Sequence, residues 1–562
     1  MDANSGSLTS RLFIGLHWLP VFWSLLVLKT VRGMLKILED YARSLQQFPT
    51  GTGIILYSMK GIAAAALAAG LLASSSAAIQ LTERESPNVV GLDITRRAVE
   101  NPVKRDALRR RQSKTVTETL TNEATLYYAN VSIGTPAQDL SLHIDTGSSD
   151  LWANVASSEI CTYQGDPCSS AGTYDANSSS TYKFVNSDFS VSYVDGSGAA
   201  GDYVTDTVSI GGQSITGLQF GIGYDSTTPQ SILGIGYTAN EAQVNTARLK
   251  SYANLPQAMA NAGLIQSNAY SLWLNDLDAS TGSILFGGVD TAKYTGQLQT
   301  VPIQKEFDQY AEFIITLTGV DLVNNGNNQS TTTDLPTAVV LDSGSSLAYL
   351  PNDLTSAIYS ALKVEYDQSQ GAGVCSCSLA NENITLDFTF TSPTISIPIN
   401  ELVINPNAGS TTNDPSSTGG TENPNNQNSG QNGGNDGSQC IFGIAPAEGS
   451  TAVLGDTFLR SAYVVYDLAN NEISLAQTDF NATGSNVSEI GTGTASVPDT
   501  TPVSGAVQAA VSQTGGARIG AVSGTGGSPF ATGTSTSGAV PKQVSYGGLA
   551  LAAGVAAAFA CA

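Results

Sequence analysis

The sequence predicts an all-β fold of two lobes, in which the second lobe repeats the plan of the first. Between residues 120 and 480 the chain is a series of short runs rich in β-branched and aromatic residues, such as 126–134, separated by Gly, Asn and Asp turns. One block of sequence that contains Asp-Thr/Ser-Gly-Ser occurs twice, and each copy is followed later in the chain by an apolar run that ends in glycine. Hydrophobic residues make up 41% of the chain and charged residues only 13%, which favours a β-rich body over a helical bundle.

Charge is distributed unevenly along the chain. Of the 24 Lys and Arg residues, 14 precede residue 112, whereas only 8 of the 47 Asp and Glu residues do. The remaining chain therefore carries a net charge of about −29, which repels nucleic acid and anionic lipid. In an acidic medium many of these carboxylates would be protonated and the self-repulsion would relax, so the composition suits a protein that works in acid.

Metal and thiol chemistry have few candidate residues. The chain has six cysteines and two histidines, which leaves almost nothing from which to build a zinc site or a Cys/His nucleophile. We therefore expect no metal and no cofactor. His143, two residues before Asp145, is either a base or an ordinary strand residue beside the site.

The N-terminal region has the pattern of a secretory precursor. Residues 59–78 have the charged start, apolar middle and small-residue end of a signal peptide. Upstream, residues 1–58 are either an extension of the gene model or an N-terminal anchor, since the apolar run 13–28 is short for a membrane span. The basic segment 79–111 ends in Arg109-Arg110-Arg111, which is typical of a propeptide that is cut by processing proteases.

The C-terminal region has the pattern of an anchored tail. Residues 481–537 form a Ser/Thr/Gly-rich linker, and 538–562 combine small residues, a polar spacer and an apolar end, as a GPI-attachment signal does. Within the body, 409–439 is a polar insert that we expect to be a surface loop. Helices are few, and 353–366 is the clearest candidate.

The duplication defines the two lobes, which we place at 112–300 and 301–480. Its first copy is the block 142–152 with the later strand Ile232-Leu233-Gly234, and its second is 339–351 with Val453-Leu454-Gly455. The two spacings become nearly equal when the polar insert is removed. Each copy therefore predicts a strand that ends in Asp-Thr/Ser-Gly-Ser and a glycine-terminated strand that packs against it.

Two such lobes around a pseudo-twofold axis would bring Asp145 and Asp342 face to face. Two like charges about 3 Å apart cannot both ionise, so one carboxyl keeps its proton and the pair contains one acid and one base. That pair can activate water against an amide carbonyl and protonate the leaving amine without a metal or a covalent intermediate. Gly147 and Gly344 permit the tight turns, and short hydroxyls that could hold the carboxylates coplanar come from Thr146, Ser148, Ser343 and Ser345.

These residues resemble the pepsin family, and within it the fungal secreted and yapsin-like aspartic proteases. The resemblance extends over residues 125–478 and depends on four blocks in order, 127–152, 191–208, 341–351 and 453–477. It implies a pepsin-like aspartic protease fold, with two β-barrel-like lobes, a cleft and a flap. By the same resemblance Asp145 and Asp342 are the catalytic pair, Tyr193 is the flap tyrosine, and Trp152 supports it.

The resemblance also implies how substrate is bound. Besides Tyr193, we expect Gly147, Gly344 and Ser345 to border the substrate. In similar fungal enzymes an acid at the position of Asp195 helps to accept Lys or Arg before the scissile bond, although Asp195 could equally serve an Asp-Gly hairpin turn. The second triplet has Ser343 where Thr is commoner, and Val194 replaces a frequent flap glycine, but neither change removes a needed group.

From this resemblance we expect a monomeric, secreted acid endopeptidase that acts on peptide or protein substrates and is held at the membrane by a lipid anchor. Cys161 and Cys168 would close a small loop, and Cys440 would pair with either Cys377 or Cys375. Six Asn-x-Ser/Thr sequons are compatible with glycosylation, at Asn130, Asn177, Asn328, Asn383, Asn481 and Asn486.

Two other classes of protein share some of these sequence features. Actin-like and sugar-kinase-like ATPases also use two Asp-x-Gly turns, but they predict alternating strands and helices and no secretion signals. A pepsin-fold binding module without activity is the non-enzyme alternative. Retention of Asp145, Asp342 and Tyr193 argues against that alternative.

Overall fold

The structure is a computed structural model, and it describes residues 87–99, 124–193, 197–279, 281–306, 308–331, 333–405 and 439–511. The predicted extension, signal peptide and attachment signal lie outside these residues, as do Asp195 and nearly all of the polar insert. No helix in the described ranges has the length and apolar character needed to cross a membrane.

Strands form most of the first half of the described chain. They are β1 (Val90–Val99), β2 (Ala124–Ile133), β3 (Gln138–Asp145), β4 (Leu151–Asn154), β5 (Lys183–Ser192), β6 (Gly198–Ile210), β7 (Gln213–Ser226), β8 (Ile232–Gly234), β9 (Ala269–Trp273), β10 (Thr281–Phe286), β11 (Gly288–Asp290) and β12 (Tyr294–Pro302). Two short helices lie between β8 and β9, namely α1 (Ala242–Asn245) and α2 (Leu255–Asn261).

The second half has the same character. Its strands are β13 (Ile314–Leu317), β14 (Gly319–Asn324), β15 (Asn327–Thr331), β16 (Thr337–Leu341), β17 (Ala348–Leu350), β18 (Glu365–Asp367), β19 (Ala372–Ser376), β20 (Ile384–Thr389), β21 (Thr394–Pro398), β22 (Val403–Ile404), β23 (Gln439–Phe442), β24 (Ile444–Pro446), β25 (Ala452–Leu454), β26 (Ala462–Asp467), β27 (Glu472–Thr478), β28 (Val487–Glu489) and β29 (Thr500–Pro502). Its helices are α3 (Asn352–Leu362) and α4 (Asp456–Leu459).

A large sheet joins the two halves of the chain. Its 14 strands follow the order β29-β12-β27-β26-β9-β10-β1-β2-β3-β8-β4-β7-β6-β5. Within it β26 from the second half pairs with β9 from the first, in a register that places Val464 opposite Leu272. Both of these residues are buried in the main hydrophobic core. Three smaller sheets of five, four and four strands complete the second half.

Strand β1 comes from the segment predicted to be a propeptide. It lies between β10 and β2, and Ile94 is fully buried in the core. The described part of that basic segment is therefore not a solvated charge run. Arg97 lies over the Tyr128 ring at 5.0 Å and donates a hydrogen bond to the Ser170 carbonyl.

The helix predicted at 353–366 is shorter than expected. It ends at Leu362 because Lys363 adopts the left-handed conformation, with φ of 57° and ψ of 40°, which terminates an α-helix. The following residues instead form β18, which pairs with β19. β-Branched Val364, at the start of this extended stretch, is buried in the core.

The structure also corrects the start of the predicted Ser/Thr/Gly-rich linker. Residues 481–511 pack on the body as a strap, with β28 paired to β11 and β29 paired to β12. Ile490 and Val497 are buried against the face of the large sheet that carries Trp273 and Tyr463. Such short strands within a polar, Gly-rich stretch have no apolar periodicity, so the sequence pattern could not distinguish them from a linker.

Candidate active site

Two matching turns carry Asp145 and Asp342. Asp145 ends β3, which runs parallel to β8, and Asp342 follows β16, which runs parallel to β25. These two later strands are the glycine-terminated strands of the sequence duplication. A Cβ on Gly234 would lie 2.6 Å from the Asp150 backbone nitrogen, and one on Gly455 would overlap the Ser345 carbonyl. Only glycine permits this close approach.

Each aspartate accepts the same pair of hydrogen bonds within its own turn. Asp145 Oδ1 accepts from the Gly147 N–H at 2.9 Å, and Oδ2 accepts from the Ser148 hydroxyl at 2.6 Å. In the second turn the Gly344 N–H donates to Asp342 Oδ1 at 2.9 Å, and the Ser345 hydroxyl donates to Oδ2 at 2.7 Å. Both aspartates are fully buried.

The residues that follow the two aspartates bind the turns to each other. The Thr146 hydroxyl donates to the Leu341 carbonyl at 3.0 Å and accepts from the Ser343 N–H at 2.9 Å. In reciprocal fashion the Ser343 hydroxyl donates to the Ile144 carbonyl at 3.0 Å and accepts from the Thr146 N–H at 3.2 Å. These four bonds span almost 200 residues of chain and make the turns neighbours. Ser343 makes them as a Thr would, because they need only its hydroxyl.

Tyr193 directly follows β5, in the hairpin that connects β5 to β6. It packs against Trp152 of β4, the strand that follows the first aspartate turn. Its hydroxyl accepts a hydrogen bond from Trp152 Nε1 at 2.7 Å, and both side chains are buried with Phe189. The Tyr193 N–H donates to the Ser197 carbonyl at 2.8 Å, and this bond joins the two arms of the hairpin just before its tip. The tip itself, with Asp195, is outside the described residues. His143 is a buried strand residue beside Tyr128, with ring centroids 5.7 Å apart.

Sequence reasoning missed a buried carboxyl network beside the first turn. Asp150 Oδ1 accepts from the hydroxyls of Tyr203 and Tyr252 at 2.8 and 2.9 Å, and its Oδ2 accepts from the Ala242 N–H at 2.7 Å. Burial raises the pKa of Asp150. Glu241 is also buried, and burial raises its pKa to about 9. Asp150 could have been noted because it lies within the duplicated block, whereas nothing in the sequence marks Glu241.

The structure shows which of Cys375 and Cys377 forms a disulfide bond with Cys440. Disulfide bonds join Cys161 to Cys168 and Cys377 to Cys440, as expected for the first pair and for one of the two options in the second. Cys375 is a buried free thiol, and burial raises its pKa to about 11. Among the described residues no group of three or more His, Cys, Asp and Glu side chains could hold a metal ion.

Comparisons with known proteins agree with this geometry. A family model described as "Eukaryotic aspartyl protease" matches residues 126–428 and 421–478. The probable aspartic-type endopeptidase opsB of Aspergillus oryzae is 51% identical, and the match covers 86% of this chain and 97% of the relative. An acid protease of Saccharomycopsis fibuligera is 36% identical over 73% of this chain and 97% of the relative.

A solved structure gives the same fold. The crystal structure of the aspartic proteinase from Irpex lacteus matches with a TM-score of 0.51 and 22% identity, over 71% of this chain and 100% of that chain. This structural similarity agrees with the predicted pepsin-like fold and not with an actin-like ATPase. The two paired turns and the strand-rich halves agree with it as well. The chain belongs to the eukaryotic aspartyl proteases and is an aspartic-type endopeptidase.

Proposed function

We propose that the chain is a secreted acid endopeptidase in which Asp145 and Asp342 together activate the attacking water. The observation that carries this proposal is the reciprocal set of bonds between Thr146 and Ser343, which joins the two aspartate turns. Two buried carboxyl groups held side by side share a proton, because both cannot ionise at short distance. The pair then offers a base and an acid in one site.

The proposed reaction needs no further group. The ionised carboxylate takes a proton from water, whose oxygen attacks the scissile carbonyl, while the protonated carboxyl donates to the carbonyl oxygen. Collapse of the tetrahedral intermediate breaks the C–N bond, and the carboxyl that received the water proton passes a proton to the leaving amine. One hydroxyl of the intermediate returns its proton to the other carboxylate, which restores the starting state of the pair. The Gly147 and Gly344 N–H groups and the hydroxyls of Ser148 and Ser345 keep the carboxyl planes fixed during these transfers.

Replacing either aspartate tests the assignment. Asp145→Asn and Asp342→Asn should each abolish cleavage of a denatured protein at about pH 4, because the pair acts as one unit. Asp188→Asn, which changes an exposed aspartate on β5, is the matched control and should keep full activity. A transition-state peptide with a hydroxyl isostere should inhibit the wild-type protein. Substantial activity in either purified active-site variant would exclude the dyad.

Substrate contacts are proposed for the flap and the two turns. Tyr193, supported by Trp152, closes over the substrate, while Gly147, Gly344 and Ser345 border the scissile bond. For Asp195 the alternatives remain a carboxylate that accepts Lys or Arg before that bond and a residue of the hairpin turn. A matched pair of peptides with Lys or Leu at this position distinguishes them, since Asp195→Ser lowers the Lys/Leu ratio of kcat/KM only in the first case.

We also propose that the enzyme is made as a zymogen, with residues 79–111 as its propeptide and lobes at 112–300 and 301–480. The basic run at Arg109-Arg110-Arg111 supports processing there. Edman sequencing or mass spectrometry of the mature protein gives its first residue. A mature chain that still began before residue 112 would contradict this proposal.

Secretion, glycosylation and a lipid anchor complete the proposal. The relatives include a protein named secreted aspartic protease 8 of Candida albicans, which is 36% identical over 66% of this chain. All six sequon asparagines are exposed, which supports glycosylation. Endoglycosidase should therefore lower the apparent mass, and phosphatidylinositol-specific phospholipase should release the full-length protein from membranes as a monomer. A chain ending at Val511 should be released without the lipase.

A further inference from the structure

Two tyrosines lie side by side where strands from the two halves of the chain pair in the large sheet. Tyr270 on β9 is directly opposite Tyr466 on β26, and the rings stack with centroids 5.0 Å apart at an angle of 24°. Both side chains are fully buried. Phe313 packs edge-on against both rings, at 6.4 Å from Tyr270 and 4.6 Å from Tyr466. The rings are therefore fixed, and the positions of their hydroxyls are fixed with them.

The two hydroxyls lie beside residues that contact or belong to the first aspartate turn. Tyr270 donates a hydrogen bond to the Ile235 carbonyl at 3.1 Å, and the Ile235 N–H donates to the Asp145 carbonyl at 3.1 Å. The Tyr466 hydroxyl faces the Thr146 side chain without reaching hydrogen-bond geometry. Thr146 is the residue that binds the second turn through Leu341 and Ser343. One tyrosine thus supports the Asp145 backbone, and the other lies against the connection between the turns.

The two phenols lie in similar electrostatic environments. Burial is the main cause that raises the pKa of both phenols, and the Asp145 carboxyl adds to it for Tyr270 while Asp342 adds to it for Tyr466. The other titratable groups that face this pair are Tyr237 and Asp456. Both phenols therefore stay neutral at every pH at which the dyad works.

We propose that Tyr270 and Tyr466 are positioning residues, Tyr270 for the backbone at Asp145 and Tyr466 for the connection that Thr146 makes to the second turn, and that together they hold the two turns at the spacing that a shared proton requires. The proposal rests on the assignment of Asp145 and Asp342 as the catalytic pair. A small change in that spacing changes both the orientation of the water and the interaction between the two carboxyl groups.

Tyr270→Phe and Tyr466→Phe test this role with little change in packing. Each variant should lower kcat about tenfold and leave KM within about twofold, because the hydroxyls lie beside Ile235 and Thr146 and do not contact the substrate. The alkaline limb of the pH profile of kcat/KM should also move, by more than about half a pH unit, because it reports the coupled carboxyl pair.

Tyr463→Phe is the matched control. Tyr463 is buried on the same strand as Tyr466 but on its other face, where its hydroxyl accepts from the Asp290 N–H at 2.7 Å and donates to Ser271 at 2.8 Å. Its loss should lower stability and leave kcat and the pH profile unchanged. Counting kcat per active site, by titration with a tight hydroxyl-isostere inhibitor, removes any effect of partial folding.

The outcomes separate this proposal from the proposed function. Wild-type kcat and pH profile in both Phe variants would overturn the positioning role, even if the variants were less stable, and so would an equal kcat loss in Tyr463→Phe. Activity that survives Asp145→Asn would instead overturn the catalytic assignment. The expected result is loss of kcat in the Tyr270 and Tyr466 variants, with full kcat in the control.

Discussion

Glu241 is buried, and no cation pairs with it within the described ranges, so replacing it with Gln should make the protein much less sensitive to neutral pH. One carboxyl oxygen accepts from the Tyr252 N–H at 2.8 Å, and the other has no hydrogen-bond partner in the part of the chain that the structure describes. Burial, with a smaller contribution from the Asp150 carboxylate, raises the pKa of Glu241 from 4.5 to about 9. The folded protein therefore holds a proton that the unfolded chain releases.

The sign and size of the effect follow from this difference. The contribution of Glu241 to the free energy of unfolding is fully present below the unfolded pKa of 4.5 and is lost as pH rises toward the folded value of about 9. The loss proceeds at about 1.4 kcal/mol per pH unit, which amounts to about 4 kcal/mol between about pH 4.5 and about pH 7.5. Gln has the same shape, accepts the same bond from Tyr252 and does not titrate.

Urea unfolding at a series of pH values, followed by tryptophan fluorescence, measures this difference. The Asp145→Asn background prevents self-digestion in acid. Between about pH 4.5 and about pH 7.5 the parent should lose about 4 kcal/mol more than the Glu241→Gln variant. Glu382→Gln, which changes an exposed glutamate, is the control and should follow the parent. Equal losses in the parent and the Glu241→Gln variant would refute this reasoning.

Three further predictions concern the strap, the connection between the turns and a buried ion pair. A chain ending at Thr478 should be poorly secreted and unfold at lower urea than one ending at Val511, because the truncation uncovers the apolar face under the strap; equal urea midpoints would contradict this. Ser343→Ala should lower kcat about tenfold while Ser343→Thr retains it, since only the hydroxyl is needed; equal kcat in both variants would disprove it. Arg460→Met should cost about 3 to 5 kcal/mol of unfolding free energy, because it leaves the buried carboxylate of Glu401, 2.6 Å from the guanidinium, without its partner; a loss below about 1 kcal/mol in urea unfolding would contradict it.

The sequence predicted those parts of the fold that depend on local pattern and repetition. The duplicated blocks around Asp145 and Asp342 predicted two matching turns, each beside a glycine-terminated strand, and the structure has that pairing. The β-branched runs and the Gly and Asn turns predicted the strand-rich halves. Backbone register and turn chemistry are local properties, so they can be read from short segments.

Other features depend on contacts between distant segments and left no local signal. The raised pKa of Glu241 depends on burial under Tyr252 and its surroundings, which no motif encodes. The choice of Cys377 over Cys375 could not be made from spacing, since the two lie two residues apart and Cys375 is the residue directly opposite Cys440. The strap has the sequence pattern of a linker because its buried residues are few and widely spaced.

The most direct test of the two-aspartate mechanism is a double-mutant cycle in kcat/KM at about pH 4 with Asp145→Asn, Asp342→Asn and the double variant. Because the two carboxyl groups act as one acid and base unit, each single substitution should cost nearly as much as both together. Binding of the hydroxyl-isostere peptide by each variant verifies that its cleft is folded. Losses that multiply, so that each single variant keeps part of the activity and the double variant loses the product, would contradict a shared-proton dyad.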